Sequence, residues 1–453
     1  MYLRLLASAS CVVVCGLLPR GGLIAQGAPT PDGASARWVS ATKPWLLGQI
    51  IPNRLVPDPD PSRRRLVISY DLAPAEFPRR FHRSATYDDA LAAVVFLTTG
   101  DGDKAAFTLH ALARLVRPDG SLWFGYNTAN DWPGETDHES ALVRAGAVAW
   151  VGYAFTFFLT HAPGCAGDRG CERERTIFLQ AATRLAGYLL SLAVHDPRDP
   201  RDPRDGLLRM GQGILQLAYR ATTDEVVELY RDEPMLAVST ENNISAWFFL
   251  HQLADLTRDA RWAEAAERIR RGLLQSAWND SLGQFNQGFA PLGDADPNKA
   301  LDCAAWGALF LLAAGEPHKA EQALAAVDRY YASKHGDASG YRPYDEQAIY
   351  GDPEVGRFFF HESPRKQWRE LPIVWSEGTL GVAFAYLRMG QSPRARQIVA
   401  GLAPLQAANG GLRCASQELQ YEMTQVPCVA ASAWLVLVTE ALAANPVAMQ
   451  VWK

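Results

Sequence analysis

The sequence predicts an all-α fold of two concentric rings of helices, and three observations carry that prediction. Long apolar segments recur along the chain, each is followed by a tight Gly- or Asp-containing turn, and each turn leads into an Ala-rich amphipathic segment. A helix that is apolar nearly all round is buried on every side, whereas a single apolar stripe marks a half-exposed one, so the alternation places one set inside the other. Composition agrees: 453 residues, 48% hydrophobic, 21% charged and 10% aromatic. Those values exclude a disordered, collagenous or coiled-coil chain and leave ample material for a large core. The net charge of −5 arises from 44 Lys and Arg against 49 Asp and Glu. Phosphate binding needs a concentrated basic surface, so no nucleic-acid partner is expected.

Taken in order, residues 1–27 read as a secretory signal peptide, with Arg4 in a short basic start, an apolar run from Leu5 to Leu18 and a small-residue cleavage site at Ala25-Gln26-Gly27. The run falls well short of the ~20 residues a membrane helix needs, and Pro19-Arg20 ends it. An exported protein, periplasmic or extracellular, with no membrane span in its mature chain is therefore expected. Residues 28–80 read as an N-terminal extension packing on the barrel, and 81–453 as one helical domain. In an oxidising compartment two local cysteine pairs are open to form, Cys165 with Cys171 and Cys414 with Cys428. Cys303, beside Ala304, Ala305 and Trp306, reads as a buried small hydrophobe. No Cys/His cluster has metal-ligand spacing, so neither metal nor cofactor is expected, and oligomeric state is left open.

Six inner helices are expected to start near Asp88, Glu139, Glu241, Asp302, Glu377 and Cys428. Segments 141–160, 244–253, 304–313 and 429–438 are their apolar bodies, and Trp150, Trp247, Trp306 and Trp434 within them read as core. The turns are Thr99-Gly100-Asp101, Thr257-Arg258-Asp259, Ala314-Gly315-Glu316 and Met389-Gly390-Gln391. Outer helices follow, with stripes such as Ala265, Ile269 and Leu273, or Ala395, Ile398, Val399 and Leu402. Five inner helices have a clear outer partner, and the chain before residue 86 is placed to supply the sixth by wrapping round. Strand signals are sparse, Leu66–Tyr70 and Val226–Tyr230 at most, which disfavours a parallel α/β fold. The run Asp196–Asp205, with Pro repeated among alternating charges, reads as a solvated linker. A second long loop, Gly336–Leu371, is rich in Tyr, Phe, Pro and Arg, and loops of such length are often functional.

Five of these helix starts carry an acid: Asp88-Asp89, Asp137-His138-Glu139, Glu241-Asn242-Asn243, Asp302 and Glu377-Gly378. Acids suit any first turn, where they complement the helix dipole and cap free N–H groups for ~0.3–1 kcal/mol each. In that plain reading Ser239, Asp137 and Ser376 are N-caps, and Thr86 with Asp89 a capping box. Successive antiparallel hairpins, however, point every inner helix the same way, so the acids converge on one mouth. Trp123, Tyr126, Asn127, Trp132 and Trp375 lie in loops beside them. Flat aromatic faces stack on sugar rings, carboxylates and amides bond hydroxyls, and a carboxylate pair is the usual machinery for breaking a glycosidic bond.

The motifs Ser239-Thr240-Glu241-Asn242-Asn243-Ile244-Ser245-Ala246-Trp247, Leu301-Asp302-Cys303-Ala304-Ala305-Trp306-Gly307 and Val374-Trp375-Ser376-Glu377-Gly378-Thr379 resemble the recurring inner-helix motifs of secreted bacterial proteins of the six-hairpin glycosidase superfamily. The resemblance covers roughly residues 80–445 and implies an (α/α)6 toroid, a six-hairpin barrel with long loops and a few short strands at one mouth. It implies a carbohydrate site there without fixing the reaction. From the residues themselves, the leading expectation is an exported glycoside hydrolase acting on an oligo- or polysaccharide. Glu241 and Glu377 are its acid/base pair and Asp302 and Asp88 the next catalytic candidates. Gly378 beside Glu377 is expected to allow close substrate approach. Glu139, Asp137, His138, Trp123, Tyr126, Asn127, Trp132, Asn242, Asn243 and Trp375 are expected to bind substrate. A polysaccharide lyase or sugar epimerase would instead use His138, Tyr126, His361 or Tyr344 as base, with Arg342 or Arg357 holding an acidic sugar. A non-catalytic glycan-binding protein in surface polysaccharide export or assembly would show affinity without turnover.

Overall fold

The computed structural model describes residues 31–54, 65–75, 80–128, 130–133, 137–195 and 201–453. The expected leader and part of the Asp196–Asp205 linker lie outside them. Thirteen α-helices are present among the described residues: α1 (Pro31–Gly48), α2 (Thr86–Thr98), α3 (Gly102–Leu115), α4 (Ala145–His161), α5 (Arg169–Ser191), α6 (Thr240–Thr257), α7 (Ala260–Gly272), α8 (Leu301–Ala313), α9 (Pro317–Tyr330), α10 (Pro353–Phe360), α11 (Ser376–Arg388), α12 (Ser392–Gly401) and α13 (Val429–Leu442). The inner set is α2, α4, α6, α8, α11 and α13; each packs against the next in that order, and α13 packs against α2. Every residue of α2 is buried, whereas α7 buries only Trp262, Ala265, Ala266, Ile269 and Gly272. That contrast is the apolar-all-round and one-stripe patterning in physical form.

The outer helices α3, α5, α7, α9 and α12 each pack on the inner helix that precedes them, and α1 packs on α13. The turns at the far end of the hairpins share one device. Gly100, Arg258, Gly315 and Gly390 all take positive φ, at 82°, 59°, 82° and 75°, the left-handed residue that stops a helix and turns the chain back. At the same end the C-terminal segment enters the ring of inner helices. Trp452, 1% exposed, lies against Trp150, Phe248 and Trp306 with ring centroids 4.7–4.8 Å apart. Its N–H donates to Tyr153 Oη at 2.8 Å, and Arg388 donates to the Val451 carbonyl at 2.7 Å.

Three expectations are corrected. First, the second inner helix starts at Ala145 and not near Glu139, which sits in a turn before the short strand Val143–Arg144. Second, the strands at the mouth are not all short. β1 (Arg83–Ala85) pairs with β2 (Gly125–Asn127), but β3 (Val143–Arg144), β4 (Arg209–Arg220) and β5 (Glu225–Ser239) join Gly288–Phe289 and Ala295–Asp296 in a five-stranded antiparallel sheet. The long β4–β5 hairpin contains the expected strand Val226–Tyr230, but its full extent is hidden in the sequence because Gly211 and Gly213 take positive φ within β4 and Pro234 sits opposite Gln212, beside a register shift. Leu66–Tyr70 contributes only isolated bridges, Val67 with Ile50 and Tyr70 with Cys428. Third, Cys165 and Cys171 are bridged, but Cys428 is a free, buried thiol, and Cys414, which is disulfide-bonded, does not take it as partner. Arg413 pairs with Pro427 across two antiparallel segments, which sets Cys414 and Cys428 diagonally. Diagonal Cα atoms lie roughly 7–8 Å apart, beyond ordinary disulfide reach. The loop Gly336–Leu371 carries structure of its own, α10, which packs on β4.

Candidate active site

Five inner helices bring their first turns to one pocket. It is lined by Tyr87 from α2, Gly146, Ala147 and Trp150 from α4, Glu241 and Asn242 from α6, Asp302 and Trp306 from α8, and Glu377 from α11. The space is narrow, about 300 Å³ including what is open to solvent. Ser239 caps α6 by accepting the Asn242 N–H at 3.3 Å, which leaves Glu241 free of capping duty. Gly146 is needed for the wall: a Cβ there would lie 2.2 Å from Asn242 Oδ1. Gly378 has a different purpose from the one expected, because its Cβ would lie 2.2 Å from the Trp375 ring. It serves packing behind Glu377.

The electrostatics follow from three carboxyl groups sharing an apolar pocket. Burial pushes Glu241 up to about 7. Burial, opposed by a bond from Tyr87 and reinforced by Asp88 and Glu241, pushes Glu377 up to about 8. Asp302 is raised well above the carboxylate range by burial and then by the charges of Glu241 and Glu377. Such a trio cannot ionise fully near neutral pH and titrates as a unit. Tyr87 Oη donates to Glu377 Oε1 at 2.6 Å and accepts from Trp434 Nε1 at 2.9 Å, which fixes the direction of the tyrosine proton. Two polar atoms in this pocket are buried without a partner, Trp150 Nε1 and Asp302 Oδ1. A buried donor and a buried acceptor left open in one pocket are costly unless a ligand or water completes them.

Of the sequence-predicted residues, the structure thus brings together Glu241, Glu377, Asp302 and Asn242. Asp88 stands just outside the lining: its carboxyl bonds Ser69, burial raises it to about 7, and its charge reaches Glu377. Asp137 and Glu139 do not reach the pocket, since Arg83 holds them at 3.3 and 2.6 Å. His138 stacks on Tyr230, with centroids 5.9 Å apart. Asn243 is fully buried and bonds both the N–H and the C=O of Leu208, a structural tie between α6 and the chain entering β4. Trp375 is buried against Gly378. Asp89, read as part of a capping box, instead accepts the Val67 N–H and the Ser84 hydroxyl at 2.7 and 2.8 Å. Trp123, Tyr126, Asn127 and Trp132 lie outside the lining; Tyr126 is buried, and Trp123 is in ring contact with both Tyr126 and Trp132. His361, Tyr344, Arg342 and Arg357 also lie outside it; Arg357 pairs with Glu354, and Tyr344 packs on Trp368.

Sequence reasoning missed Tyr87, Trp150 and Trp306 as pocket residues. Trp150 and Trp306 are indeed buried, at 2% and 3% exposure, but each also presents an edge to the site. The missed signal is spacing: Trp306 lies four residues after Asp302 and Trp150 four after Gly146, hence on the same helix face. Among the described residues no group of three or more His, Cys, Asp or Glu is placed to hold a metal ion, and no helix is long and apolar enough to cross a membrane.

Searches of protein-family models and of curated proteins give no match. Solved structures do match. A glycosidase in complex with glucose superposes with a TM-score of 0.58 at 12% identity, over 92% of this chain and 99% of that one. Glycosidase structures of equal similarity carry a replaced tyrosine or a replaced glutamate. A D-mannose isomerase matches with a TM-score of 0.54 at 11% identity, over 93% of this chain and 98% of that one. A GH76 α-mannanase from Bacteroides thetaiotaomicron matches with a TM-score of 0.53 at 9% identity, over 91% of this chain and 98% of that one. At such identities the likeness is one of fold.

Proposed function

We propose that this protein is an exported glycoside hydrolase whose inner helices close an (α/α)6 toroid, with Glu241 and Glu377 as the acid/base pair and Asp302 as the third carboxyl of the site. The observation that carries the reading is the pocket's inventory. Three carboxyl groups that must share protons near neutral pH surround an unpartnered indole N–H and an unpartnered carboxylate oxygen. A sugar offers hydroxyls that both donate and accept, so it can supply a partner to each orphan. Glu377, kept protonated past neutrality and oriented by Tyr87, delivers a proton to the glycosidic oxygen. Glu241, titrating lower, takes one from the attacking water, so the bond to the leaving group breaks as the bond to water forms. Asp302 and Trp150 orient the ring. None of His138, Tyr126, His361, Tyr344, Arg342 and Arg357 lines the pocket, and Tyr87, which does, already donates its proton to Glu377; both points favour hydrolysis over a lyase or epimerase reaction.

The test is release of reducing sugar from a panel of aryl glycosides and oligosaccharides by wild type, Glu241→Gln and Glu377→Gln. Loss of one acid or base contributes about 10²–10⁴ in rate, so both variants fall by at least a hundredfold on whichever substrate wild type cleaves. Full rate in both variants overturns the assignment; measurable binding without release by wild type favours a glycan-binding protein.

A further inference from the structure

We infer that the segment carrying Trp123 and Trp132 holds a second carbohydrate site, a two-indole platform for the part of a glycan chain lying outside the pocket. Trp132 is 60% exposed; the only other exposed Trp or Phe among the described residues is Phe358, at 37%. Leaving an indole in water is unfavourable, and this loop is built to keep it there. Asp131 takes positive φ, 62°, and its carboxylate is pinned by Arg114 at 3.2 Å. The Trp132 N–H donates to Asn130 Oδ1 at 3.1 Å, and its carbonyl accepts the Asn127 N–H at 2.6 Å. Both backbone bonds and the turn are thus fixed while the ring stays open. Trp123 lies 5.1 Å from it, centroid to centroid, with the planes inclined at 43°. Its own position is held by the Arg117 guanidinium 4.8 Å from its ring and by Tyr126 beside it.

Two inclined indoles flanked by amides and charged groups suit pyranose rings, whose C–H faces stack on the aromatics while their hydroxyls meet the polar edge. The backbone ties the platform to the pocket. The Trp123 carbonyl accepts the Thr86 hydroxyl at 3.3 Å, and Thr86 precedes pocket-lining Tyr87. The ligand class rests on the carbohydrate reading of that pocket; the platform adds that the natural ligand is a chain of several sugars, and not a lone small glycoside.

The experiment is native electrophoresis of the whole protein through gels containing yeast mannan, dextran, xylan or a soluble β-glucan, beside hydrolysis of the aryl glycosides. Wild type and Glu377→Gln are retarded in at least one gel. Trp132→Ala weakens that retardation at least tenfold in apparent dissociation constant, and Trp132→Tyr, which keeps an aromatic face, restores most of it. Trp132→Ala keeps the wild-type melting temperature, which separates loss of the platform from loss of the fold. Retardation undiminished in Trp132→Ala, or none in any gel, overturns the platform even where aryl glycosides are cleaved. Trp132-dependent retardation without cleavage of any glycoside upholds the platform and removes the hydrolase reading.

Discussion

Tyr87 shows how much one hydroxyl decides in this site. Its proton goes to Glu377, because the other side of the oxygen accepts from Trp434. That bond favours the ionised carboxylate and opposes the upward push of burial and of the neighbouring Asp88 and Glu241 charges. Tyr87→Phe removes it and leaves the Trp434 N–H buried without an acceptor. Glu377 then loses its proton at a higher pH than in wild type, so the alkaline limb of the kcat/KM profile moves upward while the maximum rate falls about tenfold to a hundredfold from lost orientation. A pH profile of both proteins on one aryl glycoside checks this. An unmoved or downward-moved alkaline limb would show that Glu377 is not the acid that limb reports.

At the scale of elements, the hairpin turn is where sequence and structure agree most closely. Gly100, Gly315 and Gly390 occupy the left-handed position that Arg258 fills in the turn from α6 to α7. Arg258 is 83% exposed and offers Asp255 only a surface ion pair at 3.6 Å, which is worth little. Glycine takes the same φ without the Cβ penalty, so Arg258→Gly stabilises the protein by ~0.5–1 kcal/mol after allowance for its freer unfolded chain. The check is a higher urea midpoint at unchanged slope; a lower midpoint would mean that the arginine side chain matters more than its backbone. Such turns were legible because a helix end imposes a local rule, as was the convergence of Glu241, Asp302 and Glu377, since first-turn position is a local property too. Of the β4–β5 hairpin only Val226–Tyr230 was legible, because what holds Gly211 and Gly213 in β4 is the approach of β3 and Leu142, contacts distant in sequence. Trp150 and Trp306 carry two functions on one buried ring, and hydrophobic patterning registers only the first.

Across the whole molecule, aromatic rings line the space between the carboxyl trio and the far end of the inner helices. Tyr87 meets Trp150 edge to face at 5.3 Å, and Trp452, arriving from the opposite end, packs 4.8 Å from both Trp150 and Trp306. With water kept out on that side, Glu241 and Glu377 hold their protons to about 7 and 8. In an unfolded chain the same groups titrate near pH ~4.3. Between those limits the folded protein binds more protons than the unfolded one, so stability is fully present below the unfolded value and is lost as pH rises through the folded values. Each tenfold difference in proton affinity is worth about 1.4 kcal/mol, enough for one such group to shift Tm measurably. Glu377→Gln isolates the contribution, because a glutamine amide is neutral at every pH and close in shape to the protonated acid. Wild type and variant therefore melt at similar temperatures near pH ~4, the variant becomes progressively the more stable as the pH rises from there to about 8, and the difference levels off above that. The comparison removes the opposing contribution of His82 and His161, whose burial holds them neutral and which respond alike in both proteins. A Tm difference that stays constant from pH 5 to pH 9 would show that Glu377 is solvated in the folded state. The dry pocket, and with it the reason for a proton-holding acid at neutral pH, would then be lost.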